Sequence, residues 1–330
     1  EPVPERDLGI QEGAAIGQPR RVHETVHQAE RRLGLRHDAG GGRGIGEVGG
    51  DELRLGADSL VWKYYGDIRG ILGFQRIAGT ENCIEQLAKG VEDHSVIFND
   101  FIGRALRSGP PIMRTVYSAD PHTWGYRVRD FHRNIKGTVS DGSRYHALNP
   151  ELFYWAHATF VDQVIYITNT FIRRLSDAEK EQIFEESKVW YQLYGVSARS
   201  QPQTYAEFLQ YWDSMLERFV PTKTICYATG YLRQGIPGPA WVPRPVWRIV
   251  SVPLNALVRT VIIGTLPQQT RDVCDLDWNP AMQRRFERFA AFMRTLNPVF
   301  NRLPAKWLYL SWAYEGWART GVDPRKLHNG

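Results

Sequence analysis

From about residue 51 onward, aromatic and aliphatic residues recur three and four positions apart, the spacing of helices that turn one face to a core. Trp124, Val128, Phe131 and Ile135 form the clearest stripe. Asp120 ahead of Pro121 supplies a capping acceptor and a proline preset for the first helical position, and Gly137 closes the segment, so the spacing predicts a helix over 121–136. Asn149 with Pro150 opens a second helix that runs to about Arg173. Ser176 with Glu179 makes a capping box for a third, reaching Tyr194 before Gly195. Thr204 with Glu207 repeats the device for a helix through about Phe219, and Asn279 with Pro280 begins one that ends near Leu296. The proline-rich stretch 236–248 reads as a linker or wrap, and residues 246–252 are the best of few strand signals. The expected fold is mainly α, a single helical bundle domain over 51–330.

Residues 1–50 have a different texture. They are rich in glycine, balance acids against bases, and read as a flexible extension with one short helix near 21–33. Two formal motifs fall there. His23-Glu24-Thr25-Val26-His27 matches the zinc-peptidase pattern, in which two histidines one turn apart bind zinc and the glutamate activates water. Its flanks, Arg20, Arg21, Arg31 and Arg32, are polar, and no third ligand follows at the usual spacing, so a zinc peptidase through His23 and His27 is a minor alternative. Gly44, Gly46 and Gly49 match a dinucleotide fingerprint, but no strand precedes them and no helix clearly follows.

Composition narrows the function classes. Eleven tryptophans and 12% aromatic residues suit a chain that lines a wide apolar interior as well as filling a core. A formal charge of +5, without any block of like charges, excludes a nucleic-acid footprint. Cys83, Cys226 and Cys274 form no CxxC or CxxCH, which argues against a zinc ribbon or a covalently attached haem. Their odd number and wide spacing, with no signal-peptide pattern at the N-terminus, lead to the expectation of a cytoplasmic protein. Two apolar stretches are interrupted as membrane spans, one by His157, Asp162 and Gln163, the other by Pro253 and Arg259. The second, around 247–266, could still rest on a membrane surface, so a peripheral membrane contact is held open.

Two histidines stand out. In the expected helix His132 borders the apolar stripe, with Arg129 three residues before it and Lys136 four after it on the same side. Flanking cations disfavour the imidazolium and keep the neutral form that ligates metals, and they could pair with anionic groups. The plainer reading is a surface histidine among ordinary charges. His157 shares a face with Phe153, Phe160, Val161 and Val164, so it is expected to be buried against a carbonyl or hydroxyl partner.

A set of segments in fixed order adds a resemblance. These are Asp58-Ser59-Leu60-Val61-Trp62, Gly66-Asp67, Arg69-Gly70, Gly90-Val91, Asp93-His94-Ser95, Gly103-Arg104 and Val128-Arg129-Asp130-Phe131-His132. Asp141-Gly142, Tyr145, Trp155-Ala156-His157-Ala158-Thr159, Leu175-Ser176, Glu185, Tyr194-Gly195-Val196 and Pro202-Gln203-Thr204 continue the series. In this pattern the chain resembles the rubber oxygenase (latex clearing protein) and MpaB-type oxygenase family, closer to its broad actinobacterial branch than to true rubber oxygenases. The resemblance implies a helical bundle enclosing a pocket for one non-covalent b-type haem, an iron cofactor, with dioxygen chemistry on a small apolar, unsaturated and often isoprenoid or lipid-like substrate. It leaves the electron donor unidentified.

The family's Arg-x-x-His-x-x-x-Arg element falls on Arg129, His132 and Lys136, which implies His132 as the iron ligand and the two cations as cofactor contacts. Lysine in the last place keeps the charge but loses the bidentate fork. An Arg-x-x-x-Thr element falls on Arg104 and Ser108, with Arg114-Thr115 as a second placement, and implies catalytic roles near bound oxygen. His157 becomes a pocket residue or an alternative ligand. A haem or lipid carrier using the same pocket without turnover, and a helical interaction protein without cofactor, are the rivals from other classes.

Overall fold

The computed structural model describes residues 54–95, 97–98, 101–234 and 242–328. The extension 1–50, with His23, His27 and the glycine motif, lies outside them.

The fold is built around α6 (Pro150–Ile167), opened by the Asn149 side chain, which accepts from the Glu151 amide. It is apolar nearly all round, and such a helix belongs in a core rather than at a surface. The three polar residues that interrupt its apolar run each find a partner on a neighbouring element. His157 Nε2 reaches the Ser187 carbonyl at 3.1 Å, Asp162 accepts from Arg76, and the Gln163 amide donates to the Gly70 carbonyl at 2.8 Å. The residues that break it as a membrane span are therefore its cross-ties. A π-helical turn, Thr168–Ile172, carries the chain on to Arg173, where the sequence places the end.

Ahead of α6 come α1 (Leu60–Tyr65), a 3-10 turn (Ile68–Gly73), α2 (Phe74–Glu81), α3 (Glu85–His94), α4 (Phe101–Tyr117) and α5 (Pro121–Phe131). A two-stranded antiparallel sheet, β1 (Lys136–Thr138) with β2 (Arg144–His146), pairs Gly137 with Tyr145. After α6 follow α7 (Asp177–Gln192), α8 (Tyr205–Leu216), α9 (Lys223–Gln234), α10 (Arg244–Thr265), α11 (Gln268–Val273) and α12 (Pro280–Thr295). Three short helices, α13 (Asn297–Phe300), α14 (Ala305–Leu308) and α15 (Ser311–Thr320), complete the bundle. Trp155, Trp190, Trp317, Tyr117 and Tyr154 are among the largest side chains sealed inside it.

The capping signals hold. Asp120 accepts from Thr123, Ser176 and Glu179 form both halves of a capping box, Thr204 accepts from Glu207, and Asn279 accepts from Ala281 and Met282. Three expectations fail. Residues 244–248, read as the end of a linker, are helical and open α10. The helix over 121–136 stops at Phe131, because the chain turns at His132 into β1 and the Ala147 amide donates back to the Ile135 carbonyl at 2.9 Å. Residues 246–252 are not a strand but the first turns of α10, so the β-branched run there serves a helix.

A buried ion pair ties the first described helices to the region after α12. Asp67 and Arg69 are 0% and 2% exposed, joined at 2.7 Å, and the guanidinium also donates to Asn297 and lies over the Phe300 ring. Glu186 of α7 sits at the start of α1 and accepts from Ser59 Oγ at 2.8 Å and the Val61 amide at 2.8 Å, an anion at a helix N-terminus.

Candidate functional site

His132 is the C-terminal capping residue of α5, half-buried rather than mid-helix. Its Nδ1 lies 2.7 Å from the Val128 carbonyl one turn back. A carbonyl can only accept, so Nδ1 carries the proton and in the neutral ring Nε2 carries the lone pair. The ring stands edge-on to Phe153 of α6, with centroids 5.6 Å apart.

The turn that presents it is fixed from several sides. The Ile135 amide donates to the His132 carbonyl, and His146 on β2 contacts the Arg133 carbonyl at 3.0 Å. Helix α3 clamps the hairpin, with His94 at the Lys136 carbonyl and Tyr145 donating to Asp93 at 3.1 Å. Gly90 permits that closeness: a Cβ there would lie 3.2 Å from Ile135. At the other end Gly125 lets α5 cross the end of α7, since a Cβ would meet the Leu193 carbonyl oxygen at 2.0 Å.

Arg129 shares the last turn of α5, bonded to Asp130 at 2.9 Å and stacked over Tyr126 at 4.6 Å. Lys136 does not share that face. It is an exposed residue of β1, because the helix it was expected to extend has already ended. Backbone places Arg104 on α4, the helix packed most extensively against α5, with Ser108 exposed one turn further on. The second placement, Thr115, is fully buried and accepts from the Trp190 indole at 2.7 Å.

His157 lies deeper, 3% exposed, among the rings of Tyr154, Trp190, Tyr191 and Tyr194 at 5.0 to 6.1 Å. Loss of hydration pushes its pKa down to about 3, so the ring is neutral at physiological pH. Its Nε2–H donates to Ser187, and its Nδ1 has no hydrogen-bond partner among the described residues. Phe153 links the two histidines, since it touches His132 on one side and Tyr191 and Tyr194 on the other. A polar patch beside this aromatic shell, with Thr159 donating to Glu81 at 3.1 Å, carries no sequence signal, because its members meet only through tertiary packing.

No group of three or more His, Cys, Asp or Glu side chains suited to a metal ion occurs among the described residues. An iron held by one histidine needs no such group.

A family model described as the catalytic domain of ER-bound oxygenase mpaB/B' and rubber oxygenase matches residues 62–295. The chain belongs to that family. Curated relatives include uncharacterized proteins of Mycobacterium bovis and Mycobacterium tuberculosis, each 28% identical over 167 residues. The match covers 49% of this chain and 61% of theirs, so the chain spans about three fifths of the length of these relatives. No solved structure matches. In this family member several of the segments that carry the resemblance are framework: Arg69, paired with Asp67, reaches Asn297, Ser59 caps α1, and His94 and Asp93 brace the hairpin behind His132.

Proposed function

We propose that this protein is a haem-dependent oxygenase for a small apolar, unsaturated substrate of isoprenoid or lipid type, with His132 as the single protein ligand to iron. The observation that carries the reading is the Nδ1 to Val128 carbonyl bond. Metal-bound histidines are commonly held this way, their second ring nitrogen fixed by an acceptor that sets tautomer and ring angle. Here the anchor, the Phe153 edge and the braced hairpin set the orientation of the ring. Family membership in an oxygenase catalytic domain supports the reaction class.

The residues present fit the group. A b-type haem bound at His132 would supply redox chemistry toward dioxygen. Arg129, fixed by Asp130 and Tyr126, would meet a propionate, whereas Lys136, carried off that face by β1, is not placed to do so. Arg104, with Ser108, would supply a cation and a hydroxyl to the dioxygen chemistry. His157 stays neutral inside its ring cage, where its unprotonated Nδ1 is an acceptor and not a proton donor. The aromatic shell around it excludes water from an apolar substrate.

The test combines haem content with oxygen uptake on purified protein, using oligomeric polyisoprene and unsaturated terpenoids. The reading predicts a Soret band and oxygen consumption in proportion to haem occupancy. A colourless protein that gains no Soret band with added haem ends it, and a haem-loaded protein that consumes no oxygen with any of these substrates assigns the fold to a carrier instead.

A further inference from the structure

The first turns of helix α10 are built inside out. The residues they turn toward the protein are the polar or aromatic Trp247, Ser251 and Asn255, with Ser251 8% exposed. The residues they turn outward are apolar: Val246 49%, Ile249 76%, Val250 52%, Val252 66% and Leu257 47% exposed. A helix covering a core in water shows the reverse. Large apolar side chains grouped on one exposed element mark a contact surface.

Two features define what covers it. The first is charge. Arg244–Thr265 contains three arginines and no acidic residue, and Arg244 and Arg248 are exposed at its start. The region 242–306, which includes the packed neighbour α12 with exposed Arg284, Arg285 and Arg288, holds ten basic and four acidic residues. That is net +6 against +5 for the whole chain, so the excess positive charge falls in the stretch of sequence that carries this face. A second copy docking α10 against α10 would bring these arginines together with no acid on the helix to answer them. An anionic headgroup layer complements them.

The second feature is how far the helix can go. With 22 residues, about 33 Å at 1.5 Å per residue, it is long and apolar enough to cross a bilayer. Its last turns cannot enter one. Thr260, Val261, Ile263, Gly264 and Thr265 are buried, the Thr265 carbonyl accepts from Arg76, and a Cβ on Gly264 would strike Phe286. Only the first turns, ending near Leu257, are open to lipid. We infer that this protein docks peripherally on a bilayer bearing anionic lipid, laying the first turns of α10 into the interface with Arg248 at headgroup level and without spanning. The inference stands on this face alone and is independent of the haem reading.

The test is flotation of the full chain with vesicles of pure phosphatidylcholine and of phosphatidylcholine with phosphatidylglycerol. Binding to the mixed vesicles is expected to exceed binding to neutral ones by at least about tenfold, since each basic residue near an anionic surface is worth roughly fivefold. The pair Ile249→Glu and Val252→Glu should lower it by about a hundredfold while circular dichroism stays unchanged. Failure of the full chain to float with mixed vesicles, or equal flotation of the double variant, overturns the inference. So does a lipid-free dimer that the double variant dissociates, or strong amide protection over 244–257 without vesicles, since either gives the face a protein cover. A protein that floats but takes up no haem leaves this inference intact and removes the cofactor assignment.

Discussion

Replacing His157 with leucine should change the acid limb of stability more than stability at neutral pH. The native ring has a pKa of about 3 against 6.5 for an exposed histidine, because burial among four aromatic rings disfavours the imidazolium. Below about pH 6.5 the unfolded chain takes up a proton at this position and the native state does not. The resulting stability is complete above the unfolded pKa and is lost as pH falls toward the folded one. Each pH unit in that window removes about 1.4 kcal/mol, and the whole window is worth about 4–5 kcal/mol. Leucine is of similar size and does not titrate, although it forfeits the Ser187 bond and so costs about 1–2 kcal/mol at all pH values. Urea unfolding of parent and His157→Leu, at steps from about pH 7 to about pH 4, measures the difference directly and cancels groups common to both. The gap between them should narrow and then reverse as pH falls. Two curves that stay parallel would refute the neutral, desolvated imidazole.

Other consequences follow from the framework. Asp67→Ala leaves the Arg69 guanidinium buried without its carboxylate and should cost about 3–5 kcal/mol, read as a fall in urea midpoint; adding Arg69→Met should recover a large part of it. Gly125→Ala drives a methyl into the Leu193 carbonyl and should cost about 2–3 kcal/mol, with haem retention falling alongside because α5 carries His132.

The sequence exposes the elements better than their arrangement. Caps are local, so Asn149-Pro150, Ser176 with Glu179 and Asn279-Pro280 mark helix starts that the structure keeps. The end of α5 is not local. Trp124, Val128, Phe131 and Ile135 keep helical spacing, yet the chain leaves the helix at His132 because pairing with residues 144–146 and packing on α3 hold Ile135 in a turn. Lys136 thereby loses its expected place beside the histidine, and the cation argument rests on Arg129. Residues 246–252 read as a strand because β-branched side chains crowd there, whereas the helix that forms displays them outward. The partners of His157 were beyond reach, since Ser187 and Trp190 approach it only through α6 packing on α7.

The most direct measurement of the central claim is ligand rescue. His132→Gly and His157→Leu are prepared with added haem, and the Soret band and axial-ligand signature are recorded before and after adding imidazole. The account predicts that His132→Gly loses the histidine-ligated spectrum and regains it with imidazole, while His157→Leu keeps it throughout. An unchanged spectrum in His132→Gly, with loss in His157→Leu, would contradict it.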